Sequence, residues 1–127
     1  MRKEKSALEK RLDSVRYYDE EAYLILQHID SLKRLGFFDT TEHIKQLDEK
    51  IKRLQAEKLA VSRAIERIPD IIARMIYNGR YNLGHTWEKV ARDSGRMCSR
   101  NAKYIHDKTL PEFEKLFLEE LERCMNR

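Results

Sequence analysis

Cysteine, proline and glycine are scarce in this chain, whose 127 residues include two cysteines, two prolines and four glycines. Cys98 and Cys124 are too far apart for a Cys-x-x-Cys motif, so reduced thiols are expected rather than a disulfide framework. Few residues that break helices are present, and no run of alternating β-branched residues occurs. These absences exclude a sheet-based fold and predict an all-α protein.

Long apolar runs are also missing. The N-terminus has no apolar signal region, and no segment approaches the roughly 20 apolar residues that a membrane span needs. A cytoplasmic protein without a membrane partner is therefore expected.

Candidates for catalysis and metal binding are weak. His85, Cys98 and His106 have a spacing that matches no common zinc site. His106 precedes Asp107, but no nucleophile or oxyanion site lies nearby in the sequence, so we interpret His106 as structural. We predict no catalytic residues, no metal site and no cofactor, and hence a protein that is not an enzyme.

Charge is abundant and unevenly distributed. Charged residues make up 38% of the chain and hydrophobic residues 41%, which suits helices that bury a narrow stripe. The net charge is +4, but the segment from Arg74 to Lys108 alone has eight basic residues against three acidic ones, or +5. The tail after this segment is slightly acidic. A basic segment of this kind is typical of a surface that meets nucleic acid.

The N-terminal half predicts two long helices. Apolar residues recur at steps of three and four over residues 4–35, which predicts one helix of about 30 residues, roughly 45 Å long. Gly36 is expected to end it. Asp39 or Thr40 can cap the next helix, with Glu42 completing a capping box, and a heptad pattern then continues to residue 68.

The partner of this heptad stripe has two candidates. The short connection after Gly36 allows the second helix to fold back on the first as an antiparallel hairpin. The stripe can equally meet a second copy of the chain. We favour the hairpin, and we expect a homodimer through a remaining face of the long helices.

Pro69 is expected to end or kink the second long helix, with Asp70 in the first turn of a short one. The buried face of this short helix is predicted to comprise Ile71, Ile72, Met75 and Ile76. Asn78 and Gly79 predict a turn. Pro111 is expected to start a C-terminal amphipathic helix. The chain is thus divided into a helical hairpin or coiled coil (1–68), a helix-turn-helix (69–110) and a C-terminal helix (111–127).

The segment before Leu110 has the signals of a helix-turn-helix. Thr86 is a hydroxyl N-cap for a helix ending near Asp93, and Gly95 can adopt the positive φ that a tight turn needs. A second helix is expected to start near Cys98 or Ser99. Two short helices across a glycine turn are typical of a unit whose second helix enters the DNA major groove.

The residues of the second helix separate into two faces at 100° per residue. Ala102, Ile105 and Thr109 should face the core, while arginine, lysine and tyrosine side chains point outward and suit phosphate and base contacts. Arg96 and Ser99, at the helix start, are placed to meet the phosphate backbone. The predicted DNA-binding residues are Arg96, Ser99, Arg100, Lys103, Tyr104 and Asp107.

Several residues of this segment follow a known family pattern: Thr86-Trp87-Glu88-Lys89-Val90-Ala91, then Gly95, Met97-Cys98, and Ala102 through Ile105-His106 to Leu110. In these residues the chain resembles the sigma-70 region-4-like helix-turn-helix proteins, particularly small phage and prophage proteins. The likeness covers about 40 residues. Three positions depart from the pattern: Cys98 replaces a serine cap, Arg96 is an extra turn residue, and Ala102 replaces a larger aliphatic residue.

The resemblance implies a sequence-specific DNA-binding regulator of transcription, of phage or prophage origin, with double-stranded DNA as its partner. Two alternatives stay open. One is a small DNA-packaging (terminase) subunit, which would assemble as a ring. The other is a protein-interaction module that docks on RNA polymerase.

Overall fold

The computed structural model describes residues 5–36 and 38–125, and within these ranges the chain is all-helical, with 81% helix and no strand. The all-α prediction is confirmed. The six α-helices in the described part are α1 (Ala7–Val15), α2 (Tyr18–Lys33), α3 (Thr41–Glu66), α4 (Ile71–Tyr77), α5 (Trp87–Asp93) and α6 (Ser99–Met125). A π-helical turn, Asn78–Asn82, continues directly from α4.

The first predicted helix is in fact two helices, because the chain breaks at Arg16 and Tyr17. The break allows the two parts to bury their apolar residues against different partners. α1 buries Leu12 and Val15 in the main core, whereas α2 buries Ile25 and Ile29 along α3. The prediction of one helix of about 30 residues is therefore wrong.

The ends of the next two helices also differ from the expected pattern. α2 ends at Lys33 and Gly36 lies beyond its cap, so the predicted glycine terminator is wrong. Phe37 lies outside the described residues. At the start of α3, Thr40 makes no side-chain cap bond, while Asp39 Oδ1 accepts from the Thr41 N–H at 3.1 Å.

α3 is shared between two neighbours. Its first half lies antiparallel to α2, as the Lys50–Glu21 ion pair at 3.6 Å and the edge-on His28–His43 ring contact at 5.2 Å indicate. Its second half faces α6, and this interface forms the main core. The core joins residues from all three predicted segments: Leu12, Val15, Ala60, Val61, Ala64, Ile65, Ile68, Ala73, Tyr77, Tyr81, Phe113, Phe117 and Leu121.

α4 begins directly after Asp70, which is its N-cap and not, as predicted, a residue of its first turn: Asp70 Oδ2 accepts from the Ala73 N–H at 2.9 Å. Its predicted buried face is wrong in part, because Ile71 is 62% and Met75 41% exposed. The helix buries the predicted Ile76, together with Ala73 and Tyr77, which were not predicted. The reason is that burying the large Tyr77 ring rotates the helix away from the face chosen by aliphatic spacing alone.

The Asn78-Gly79 pair does not form a turn between elements, as the sequence predicts, but lies in the π-helical turn. This turn places Tyr81 beside Tyr77 in the core, with ring centroids 5.9 Å apart. Gly79 is buried, and a Cβ at this position would lie 3.2 Å from Val90 Cγ2. Glycine therefore allows the π-helical turn to approach α5.

Pro111 lies inside α6 and does not start a new helix, so that prediction is wrong. A proline within a helix removes one backbone hydrogen bond and costs about 3 kcal/mol. Residues on both sides of it, Ala102 before and Phe113 and Phe117 after, are fully buried. Their burial offsets the cost and keeps the helix continuous.

Candidate nucleic-acid interface

α5 and α6 are joined by a turn, residues 94–98, whose geometry follows the local sequence signals. Thr86 Oγ1 accepts from the Lys89 N–H at 3.3 Å, and Gly95 has a φ of 119°, so the predicted N-cap and glycine turn are both confirmed. Arg96 also has a positive φ, 55°. The Cys98 carbonyl accepts from Ala102 N–H at 3.1 Å, which places Cys98 at the N-cap of α6.

Small side chains hold α5 against α6. A second buried cluster consists of Ile76, Val90, Ala91 and Ala102, each at most 1% exposed. Alanine on both helices permits close approach of their backbones, and Ile76 supplies the support from α4. Ala102 is buried, and Ile105 and Thr109 are half-buried, as the helical rotation predicts. This cluster fixes which face of α6 is directed to solvent.

The outward face of α6 has the predicted basic character. Arg96, Arg100, Lys103 and Tyr104 are exposed, with Tyr104 at 61%, while Ser99 is half-buried. Within the described part of the chain, no carboxylate lies within ion-pair distance of the three cations. These three positive charges are therefore free for an anionic partner.

Two other charged positions are paired locally. On α5, Asp93 pairs with Lys89 at 3.4 Å and approaches Arg92 at 3.8 Å. On α6, Asp107 Oδ1 lies 2.8 Å from His106 Nδ1. Asp107 was predicted to contact DNA, but the structure gives its carboxylate an intrachain partner.

A buried hydrogen-bonded network lies behind this face. Tyr81 Oη is 2.6 Å from His106 Nε2, and Tyr77 Oη donates to the His106 carbonyl at 2.7 Å. Because the Asp107 carboxylate accepts from Nδ1, Nε2 is left to accept from Tyr81. Burial raises the pKa values of both tyrosine hydroxyls, which keeps them protonated as donors.

This network anchors α6 to α4 and the π-helical turn. Trp87 on α5 meets the His106 ring edge-on at 5.2 Å, so α5 is tied to the same point. His106 is predicted from the sequence to be structural, but the roles of Tyr77 and Tyr81 are not predicted. Their four-residue spacing was the available signal, since it places both rings on one helical face. Both tyrosine side chains are buried, and the arrangement positions the helices that they join.

Acidification should destabilise the fold through His106. Burial lowers the pKa of His106 below its ordinary value of 6.5, against the opposing effect of Asp107. The unfolded chain then binds more protons than the folded one as the pH falls. The contribution of neutral His106 to the free energy of unfolding is therefore fully present above about pH 6.5 and is lost as the pH falls below it. Urea unfolding between about pH 7.5 and pH 5.5 measures this loss. His106→Gln should flatten the pH dependence of the free energy of unfolding, whereas His43→Gln, a control at an exposed position, should preserve it. The same pH dependence in both variants would contradict the role assigned to His106.

No protein-family model, no curated protein and no solved structure matches this chain. Across the described ranges, no helix combines the length and apolar character that crossing a membrane requires. The same residues contain no cluster of three or more histidine, cysteine or acidic side chains arranged to hold a metal ion.

Proposed function

We propose that this protein binds double-stranded DNA, with α5 and α6 acting as a helix-turn-helix and α6 as the recognition helix. The observation that carries the proposal is the set of three exposed cations, Arg96, Arg100 and Lys103, just before and at the start of α6, which form no ion pair with any residue of 5–36 or 38–125. Arginine and lysine at these positions can contact phosphates or the acceptor edge of guanine. Tyr104 adds a hydroxyl donor on the same face.

The arrangement of the rest of the chain supports this use. The second buried cluster and the His106 network fix the position of α6 against the neighbouring helices, and a recognition helix must be positioned in this way to read a groove. We further propose that α2 and α3 form the helical hairpin and that the protein acts as a transcription regulator of phage or prophage origin, as its resemblance to region-4-like proteins implies.

A salt series of DNA binding tests the proposal. Fluorescence anisotropy with duplex DNA should give a linear fall of log affinity with log salt, at about 0.9 per phosphate contact. The variant Arg100→Ala/Lys103→Ala should bind about tenfold more weakly or worse, since each lost contact contributes on the order of 1 kcal/mol. Where both residues contact phosphates, the slope should decrease by about 1.8.

The matched control is Lys45→Ala/Lys52→Ala, which removes the same charge from exposed positions on α3. This control should leave affinity and slope close to those of the wild type. Equal weakening of DNA binding in both variants would mean that the loss of affinity follows from the lower net charge and not from the position of Arg100 and Lys103. No binding of the wild type at low salt would contradict the proposed function.

A second candidate is a protein-interaction module, and the exposed apolar side chains before α3 favour it. Tyr23 and Leu24 are each more than 60% exposed, and Phe38 is 72% exposed. Such residues suit contact with a protein, either RNA polymerase or a second copy of the chain. Light scattering separates the outcomes: a dimer fits the regulator, a large ring fits a DNA-packaging subunit, and a monomer without salt-sensitive DNA affinity fits a docking module.

A further inference from the structure

Two arginines from distant parts of the chain converge on one backbone oxygen. Arg80 Nη1 donates to the His85 carbonyl at 3.1 Å, and Arg16 Nη2 donates to the same oxygen at 3.5 Å. Arg16 lies at the break between α1 and α2, whereas Arg80 lies in the π-helical turn. We call Arg16 and Arg80 the guanidinium pair.

The positions of both arginines are enforced by packing. The Arg80 guanidinium lies 4.5 Å from the centroid of the Trp87 ring, and that of Arg16 lies 5.3 Å from the Tyr17 ring. The loop before α5 also approaches the backbone of Arg16, because a Cβ on Gly84 would lie 3.3 Å from the Arg16 carbonyl oxygen. With a φ of +67°, Gly84 allows this close contact. The two side chains are thus held in place.

The positive charge of the guanidinium pair is not balanced by the described residues. Within residues 5–36 and 38–125, neither arginine has a carboxylate at ion-pair distance, and Asp13, whose charge acts on Arg80, is already paired with Lys5. The Nε atoms of both arginines are buried and have no hydrogen-bond acceptor among the residues that the structure describes. Burial and the charge of Arg16 lower the pKa of Arg80, a sign of the same imbalance.

Donors remain available at this site. A guanidinium has five N–H donors, and each of these two uses one of them on the His85 carbonyl. Arg16 Nη1 and Arg80 Nη2 have no partner in the described part of the chain and are not among its fully buried atoms. Two like charges with free, preorganised donors suit a tetrahedral oxyanion, for which arginine is the preferred ligand.

We propose that Arg16 and Arg80 bind a phosphate group and that the backbone of the bound DNA supplies it. The choice of DNA rests on the proposed function: the guanidinium pair lies at the start of α5, and the first helix of a helix-turn-helix crosses the DNA backbone. The phosphate would neutralise both guanidiniums. It would also connect the N-terminal helices, through Arg16, to the register of α6 on the duplex.

The phosphate site is tested first without DNA. In nitrogen–proton correlation NMR spectra of the full chain, the Nε–H signals of Arg16 and Arg80 should shift saturably with inorganic phosphate, and not with chloride at equal ionic strength. Arg16→Gln should abolish the Arg80 shift, whereas Arg53→Gln, an exposed position on α3, should retain it. No saturable shift in the folded wild type would overturn the site.

The source of the phosphate is tested with the duplex salt series. Arg16→Gln should lower the slope by about 0.9, the value for one lost phosphate contact, with no change for Arg53→Gln. An NMR shift together with an unchanged slope would overturn DNA as the source and leave free phosphate. An NMR shift without any wild-type DNA binding would overturn the proposed function while the phosphate site stands. Circular dichroism of Arg16→Gln verifies that the variant is folded.

Discussion

Replacement of Phe117 by alanine is expected to lower the free energy of unfolding by about 3–5 kcal/mol. Phe117 is fully buried between α6 and α3, with the Arg11 guanidinium 5.9 Å from its ring centroid. Removing its ring leaves a cavity at the point where the N-terminal and C-terminal helices meet. The loss is a large share of the roughly 5–15 kcal/mol by which domains of this size are stable. Urea unfolding followed by circular dichroism measures it.

The adjacent residue provides the control for Phe117. Leu118 is 48% exposed, so Leu118→Ala removes an aliphatic side chain from the same turn of α6 without opening a core cavity. We expect a change within about 0.5 kcal/mol. Similar losses in both variants would mean that the α3–α6 interface is not the main core.

Ile76→Ala should destabilise the protein by about 2–5 kcal/mol, while Ile71→Ala should have little effect. The two positions share residue type and helix, but Ile76 is fully buried in the second cluster and Ile71 is 62% exposed. The change in helix propensity is therefore the same in both variants, and a difference between their free energies of unfolding, measured with denaturant, reports the effect of burial. Equal losses would contradict the observed orientation of α4.

The Ile76 variant also tests whether a residue that positions α6 affects DNA binding differently from a residue that contacts DNA. Ile76 belongs to the same buried cluster as Val90 and Ala91 of α5 and Ala102 of α6, and it is fully buried. DNA affinity should fall in Ile76→Ala, with the salt slope unchanged if the number of phosphate contacts stays the same. The Arg100/Lys103 variant should instead lose affinity while retaining its unfolding free energy. The two results together distinguish residues that hold α6 from residues that contact DNA.

Local signals in the sequence were sufficient for the α5–α6 unit. Thr86, Gly95 and the inward positions Ala102 and Ile105 behave as predicted because each signal acts within one or two turns of chain. A hydroxyl N-cap, a positive φ and a helical rotation depend little on distant residues. The outward residues of α6 follow from the same rotation, so their exposure was also predictable.

Sequence signals whose outcome depends on tertiary packing give wrong predictions at two places. Aliphatic spacing placed Ile71 and Met75 in the core, but the rings of Tyr77 and Tyr81 displaced them because an aromatic pair buries more apolar surface. Pro111 was predicted to start a helix, yet burial of residues on both sides keeps α6 intact. In each case tertiary packing outweighed a local preference of a few kcal/mol or less.

By itself, the sequence determined that the chain is helical, that a capped helix and a glycine turn precede α6, and that one face of α6 is basic. Only the tertiary structure decided which residues share a core, that His106 is held between Tyr81 and Asp107, and that Arg16 meets Arg80. The reason is distance along the chain. Periodicity and capping act over a few residues, whereas Arg16 and Arg80 are brought together by the packing of α1 against α3 and the π-helical turn.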